Sequence, residues 1–163
     1  MTDEILHTIP QVAVTLAGFS GVIFALGNRS GRKLTAKEES GLMHMLLTSF
    51  GPVLICLIAL LLLESDLNSE VAWRLSCGII GFYSFTGSTK AILDELNGRH
   101  SLPKVFAWVA PIGSQVMGTA NLIIACGYYL PFASIVFEAN LIFLLWISIL
   151  YFVSLLKQEQ GDT

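Results

Sequence analysis

The chain has 163 residues, 54% of them hydrophobic and 13% charged, with nine Lys+Arg against twelve Asp+Glu, and its mean hydropathy is +0.71. A soluble domain carries about a quarter charged residues, so this composition excludes a soluble globule, a nucleic-acid binder and a disordered tail. The net charge of −3 leaves no polybasic surface, and the expected partner is the lipid bilayer itself.

Crossing about 30 Å of hydrocarbon takes about 20 mainly apolar residues. Five segments meet that need. The expected fold is all-α, a single transmembrane domain over residues 1–163 with helices near 5–27, 36–64, 71–93, 105–130 and 132–156. The first follows an acidic Met1-Thr-Asp-Glu4 start with no cleavage signal, so it is expected to remain in the mature chain. It carries Ala13, Ala17, Gly21 and Ala25, a small residue at every fourth position. Close approach along such seams replaces the hydrophobic drive that lipid cannot supply. The second opens on a capping box, Thr35-Ala-Lys-Glu38. The third has Cys77, Gly78, Gly81, Ser84 and Ser88 on one broad face, with Arg74 and Lys90 near its ends. The first and third are therefore expected at the centre of the bundle. Pro52 and Pro111 lie inside the second and fourth, where kinks are expected. The fifth follows a tight turn at Leu130-Pro131.

The basic residues give the bundle a direction. Arg29, Arg32, Lys33, Lys37, Lys90, Arg99, Lys104 and Lys157 fall on one side of five alternating spans, and only Arg74 on the other. The positive-inside rule then places the N-terminus outside and the C-terminus in the cytoplasm. Trp73, Tyr128 and Tyr129 are expected at the outer interface, Trp108 and Tyr151 near the inner one, and Trp146 in mid-span. Gly18, Gly21 and Gly27 recur sixty residues on as Gly78, Gly81 and Gly87. That spacing is compatible with a parallel repeat of two hairpins with a fifth helix added.

Leu16-Ala-Gly-Phe-Ser-Gly21, the basic first loop, Trp73-Arg-Leu-Ser76 after an acidic loop, and Phe152-Val-Ser-Leu-Leu156 resemble an uncharacterised family of small bacterial polytopic inner-membrane proteins. The resemblance implies a multi-pass protein of the bacterial cytoplasmic membrane and carries over no active-site residues.

Ionisable groups at membrane depth are costly unless paired or hydrated, which makes them functional candidates. Glu138 lies seven residues past Pro131, about 10 Å below the outer end. Asn121 on the fourth helix lies at matching depth, and Arg74 on the third can reach the same level. With Gln115 these residues form the candidate intramembrane cluster. They read either as a clip joining three helices or as the lining of an ion path. Ser114, Gly118 and Asn121 make a polar stripe on the fourth helix with Gln115 beside it. Secondary candidates are His44 and Thr48, one turn apart, and His7 and Gln11, likewise one turn apart.

Cys56, Cys77 and Cys126 form no C-x-x-C pair, and phosphate-loop, zinc-protease and nucleophile-elbow motifs are absent. No metal, cofactor or catalytic residue is expected. The leading expectation is a non-catalytic subunit for assembly, regulation or scaffolding, a homo-oligomer or a partner of other membrane subunits. The alternative is a small ion channel or ion-coupled transporter with a path near Glu138. A membrane-embedded enzyme is the least supported reading.

Overall fold

A computed structural model describes residues 36–98 and 102–161, together with Thr8, Gln11, Val14, Thr15 and Gly18. Among the described residues the fold is all-α. Four long helices follow one another: α1 (Ala36–Glu64), α2 (Ser69–Leu96), α3 (Lys104–Ala125) and α4 (Ala133–Gly161), with a 3₁₀ turn at Leu130–Phe132 before α4. The five predicted positions of the N-terminal segment that are described are helical and exposed. The rest of that segment, with its small-residue seam, lies outside the described residues, as does Thr35, which opens the capping box.

Local chemistry sets the boundaries. α1 ends at Glu64, directly before the four-residue turn at 65–68. Asn68 caps α2, its side chain accepting the Glu70 N–H at 3.0 Å. Gly98 after α2 has φ +67°, a left-handed conformation that glycine adopts without strain. α3 stops at Ala125, earlier than the expected residue 130, because Gly127 at φ +100° and Tyr129 at φ 55° turn the chain. Pro131 then sits in the first turn of the 3₁₀ segment, where a missing N–H costs nothing. Pro52 and Pro111 lie inside helices that continue through them.

The most extensive packing joins α2 to α3, followed by α1 to α4. The α2–α3 contact is a crossing of backbones. A Cβ on Gly118 would lie 3.1 Å from the Gly81 carbonyl oxygen and 3.2 Å from Phe85 N, and one on Gly81 would meet the Gly118 carbonyl at 3.0 Å. Two further glycines receive aromatic rings: Gly51 takes Tyr83, and Gly113 takes Phe143. Towards the short turns at 65–68 and 126–129 the core comprises Ile55, Cys56, Ala59, Cys77, Ile80, Phe137 and Leu141. A smaller core of Met45, Ala107, Ala110, Ile147 and Tyr151 lies towards the opposite end.

Small and polar residues dominate the buried positions, while large apolar ones point outward, among them Leu54, Leu61, Phe82, Val105 and Val116. Two of the helical stretches, Glu39–Glu64 and Leu130–Ser154, are long and apolar enough to cross a membrane, with 28% and 44% of their apolar windows buried. Less than half of each is therefore covered, unlike a core helix of a soluble protein. α2, with Arg74, Lys90 and several serines and threonines, and α3, with Ser114, Gln115, Thr119 and Asn121, fall short of the same standard, so two of the five expected spans are met on composition.

Gly118→Ala is expected to destabilise the bundle by about 1–3 kcal/mol, since the new methyl meets backbone atoms that cannot turn aside. Gly87→Ala, whose Cβ meets nothing within 4 Å, should be neutral or stabilising by up to about 1 kcal/mol. Unfolding in mixed SDS and dodecyl maltoside micelles, followed by circular dichroism, measures both; equal effects would rule out a tight crossing.

Candidate functional site

The interior polar groups form layers between helices. Next to the glycine crossing, Ser84 on α2 donates to Asn140 Oδ1 on α4 at 3.1 Å, and the Ser114 hydroxyl of α3 lies 3.4 Å from the Ser84 carbonyl it donates to. On the other side of α4, the hydroxyls of Ser49 and Ser148 are 2.5 Å apart and tie α1 to α4. One turn further along α2, Ser88 donates to the Gln115 amide oxygen of α3. These residues face inward because Ser84, Ser88 and Ala91, at spacings of four and three, share one helical stripe. Ser114, Gly118 and Asn121 make the matching stripe on α3, and all three are buried.

Beyond these layers, away from the short turns, the four helices line a partly open cavity of about 280 Å³. Its walls are Leu47, Ala91, Ala110, Pro111, Leu144 and Ile147; Tyr83, Ser84 and Ser114 line its inner end, and His44, Lys90 and Tyr151 its outer end. His44 is held on three sides. Its Nδ1 donates to the Ser40 carbonyl at 2.9 Å, Nε2 lies 3.7 Å from Asp94 Oδ2 on α2, and the ring stacks on Tyr151 of α4 with centroids 5.4 Å apart. The stacked imidazole and phenol rings thus join α1 to α4 at the cavity end, with the Asp94 carboxylate of α2 beside them.

The candidates are distributed over three places. Asn121 is fully buried, its amide donating to Met117 O at 3.0 Å and to Val136 O of α4 at 3.5 Å, close in sequence to Glu138. Glu138 is half-buried, and its Oε1 has no hydrogen-bond partner among the described residues; the same holds for Asn121 Oδ1 and Asn140 Nδ2. Arg74 forms no ion pair with Glu138. Its guanidinium lies over the turn after α3 instead, so that a Cβ on Gly127 would come 3.2 Å from Nη2. That position sets a cation against the carbonyl end of a helix, a favourable arrangement. Gln115 belongs to the Ser88 contact. His44 and Thr48 both line the cavity. Gln11 is exposed, its carbonyl accepting from Thr15 at 2.8 Å, and His7 lies outside the described residues.

Tyr151, expected at the inner interface, is instead buried at 2% exposure against His44. Trp146 packs on Phe143 and Phe106. Tyr128 and Tyr129 are exposed at the short-turn end, and Trp73 meets Phe137 edge to face. Asn140, Asp94 and the Ser49–Ser148 pair were not among the sequence candidates. Asn140 carried a usable signal, an amide inside a long apolar run; the others depend on which helices become neighbours. Among the described residues no three His, Cys, Asp or Glu side chains converge on a metal position.

Asn140→Ala is expected to cost about 1–3 kcal/mol, because it strips the acceptor from a buried hydroxyl. In a double-mutant cycle with Ser84→Ala, unfolding measurements should give a coupling of about 1 kcal/mol, the scale of interhelical hydrogen bonds in bilayers. Zero coupling would mean the contact holds nothing together.

No family model matches the chain, and neither a curated protein nor a solved structure shows significant similarity to it.

Proposed function

We propose that the chain is a multi-pass protein of the bacterial inner membrane that acts as a non-catalytic helical subunit, assembled with copies of itself or with other membrane proteins. The observation that carries this reading is the use of its interior polar side chains. Ser49–Ser148, Ser84–Asn140 and Ser88–Gln115 each join two helices, the usual employment of polar groups in a bilayer. An outward surface of Leu54, Leu61, Phe82 and Val116 supports a lipid environment, since soluble monomers rarely expose such a continuous apolar face.

In this reading α2 and α3 also span, with Ser76, Ser84, Ser88, Ser114 and Asn121 turned inward, and the N-terminal apolar segment supplies a fifth span. The short turns at 65–68 and 126–129 then face outward, and the basic 28–40 and 97–103 connections face the cytoplasm. The bacterial location rests on the family resemblance and the five-span orientation on the basic residues. A second reading, a small channel or ion-coupled transporter, is favoured by the cavity beside His44. The described lining of that cavity does not include Glu138, so a path near Glu138 would have to pass the Asn140 and Asn121 layers.

Liposomes containing the purified protein should show proton and potassium flux at the protein-free level, and native mass spectrometry should show a discrete oligomer. Flux that Glu138→Gln abolishes would replace the subunit by a transporter; a monomer without flux would remove both readings. Reporter fusions within 28–40 and 97–103 should give cytoplasmic signals and a fusion at 65–68 a periplasmic one. The opposite pattern would invert the orientation.

A further inference from the structure

We infer that the cavity beside His44 and Lys90 is a binding site for an amphipathic monoanion, a carboxylate or phosphate head joined to an apolar chain. The inference takes only the membrane orientation from the functional reading above and is independent of the subunit role.

The walls decide the body of the ligand. Leu47, Ala91, Ala110, Pro111, Leu144 and Ile147 supply them, and the hydroxyl hydrogens are committed elsewhere. Thr48 donates to His44 O at 2.8 Å, Thr86 to Phe82 O at 2.9 Å, Tyr83 to Leu47 O at 2.6 Å and Ser84 to Asn140. The interior therefore offers a polar head no spare hydroxyl donor. A dry apolar cavity of about 150 Å³ is enough for benzene, and this one has about 280 Å³. It extends along α2 from Tyr83 to Lys90, about 10 Å at 1.5 Å per residue. A short hydrocarbon chain fits such a space.

One end decides the head. Lys90 is the one Lys, Arg, Asp or Glu among the described lining residues, and it makes no ion pair or hydrogen bond with a described residue. Asp94 lies 3.7 Å from His44 Nε2 and is not part of the lining. A ligand whose chain lies among Leu144, Ile147 and Ala110 thus presents its head to an ammonium. In the proposed orientation this is the cytoplasmic interface, where a lysine keeps its charge in water while its stem lies along apolar surface. A free fatty carboxylate and the chain of an anionic phospholipid share this chemistry.

Decanoate, decanol and decyltrimethylammonium, titrated into the protein in phosphatidylcholine nanodiscs, separate head from chain. Decanoate should bind most tightly. Lys90→Gln should weaken it roughly three- to fivefold, the scale of a partly screened charge contact, while leaving decanol unchanged. Gly87, which lines the cavity and whose Cβ would meet nothing within 4 Å, is the place to fill it. Gly87→Phe should reduce binding of both decanoate and decanol at least tenfold without lowering the melting temperature. Equal affinity for the three heads, or full decanoate binding by a folded Gly87→Phe variant, would overturn the site. Native mass spectrometry of protein released from phosphatidylcholine–phosphatidylglycerol nanodiscs identifies the source: phosphatidylglycerol retained by the wild type and lost by Gly87→Phe marks a lipid chain, and a decanoate adduct alone marks a free carboxylate.

Discussion

The closest constraint in the bundle is the backbone crossing of Gly81 and Gly118. In a bilayer, helices gain nothing from hiding apolar surface, because lipid is as apolar as leucine; close packing and hydrogen bonds must hold them together. With no Cβ on either glycine, each carbonyl oxygen comes within 3.0–3.1 Å of where the partner's methyl would be. This closeness brings the Ser114 hydroxyl of α3 within reach of the Ser84 carbonyl of α2. Ser84 in turn donates to Asn140 of α4, so the crossing is continued by a contact to a third helix.

The same logic explains why the molecule is small and polar inside and bulky and apolar outside. Asn121, Asn140, Ser49 and Ser148 are all buried, while Leu61 and Phe82 are each 68% exposed. In water that distribution would waste the hydrophobic effect. In lipid it costs little and reserves the interior for groups that specify which helix meets which. Ser49–Ser148 fixes α4 against α1, Ser88–Gln115 fixes α3 against α2, and Asn140 joins α4 to α2. Each pairing involves a different pair of helices, so together they define one arrangement.

Much of this was legible in the sequence, for identifiable reasons. The extent of α1, the shared face of Gly81, Ser84 and Ser88, and the stripe of Ser114, Gly118 and Asn121 follow from helical periodicity, which needs no knowledge of neighbours. The expected cluster around Glu138 was less faithful. Gln115 and Asn121 are six residues apart, about 9 Å along the axis and about 120° around it, so they serve different partners. Arg74 was expected to seek a carboxylate, but the turn after α3 gives it a helix end. Tyr151 was read by its depth alone as an interfacial aromatic; its burial depends on His44, more than one hundred residues earlier. Contacts between distant elements are what periodicity and depth do not encode.

The cavity follows from a further glycine, Gly51 on α1. Gly51 has no side chain, so the Tyr83 ring lies against α1 and its hydroxyl reaches the Leu47 carbonyl. A tyrosine laid crosswise between α1 and α2 acts as a spacer. Beyond it the facing residues are Thr48, Gly87 and Ala91, too small to fill the gap that the ring holds open. His44 and Tyr151 stack at the far end with Asp94 3.7 Å from the imidazole, leaving a partly open space between two contacts. Had packing alone been selected, a leucine at position 87 would have filled this gap at no steric cost to the backbone. An open glycine beside a lysine that makes no ion pair among the described residues is the arrangement an occupant of this space would use.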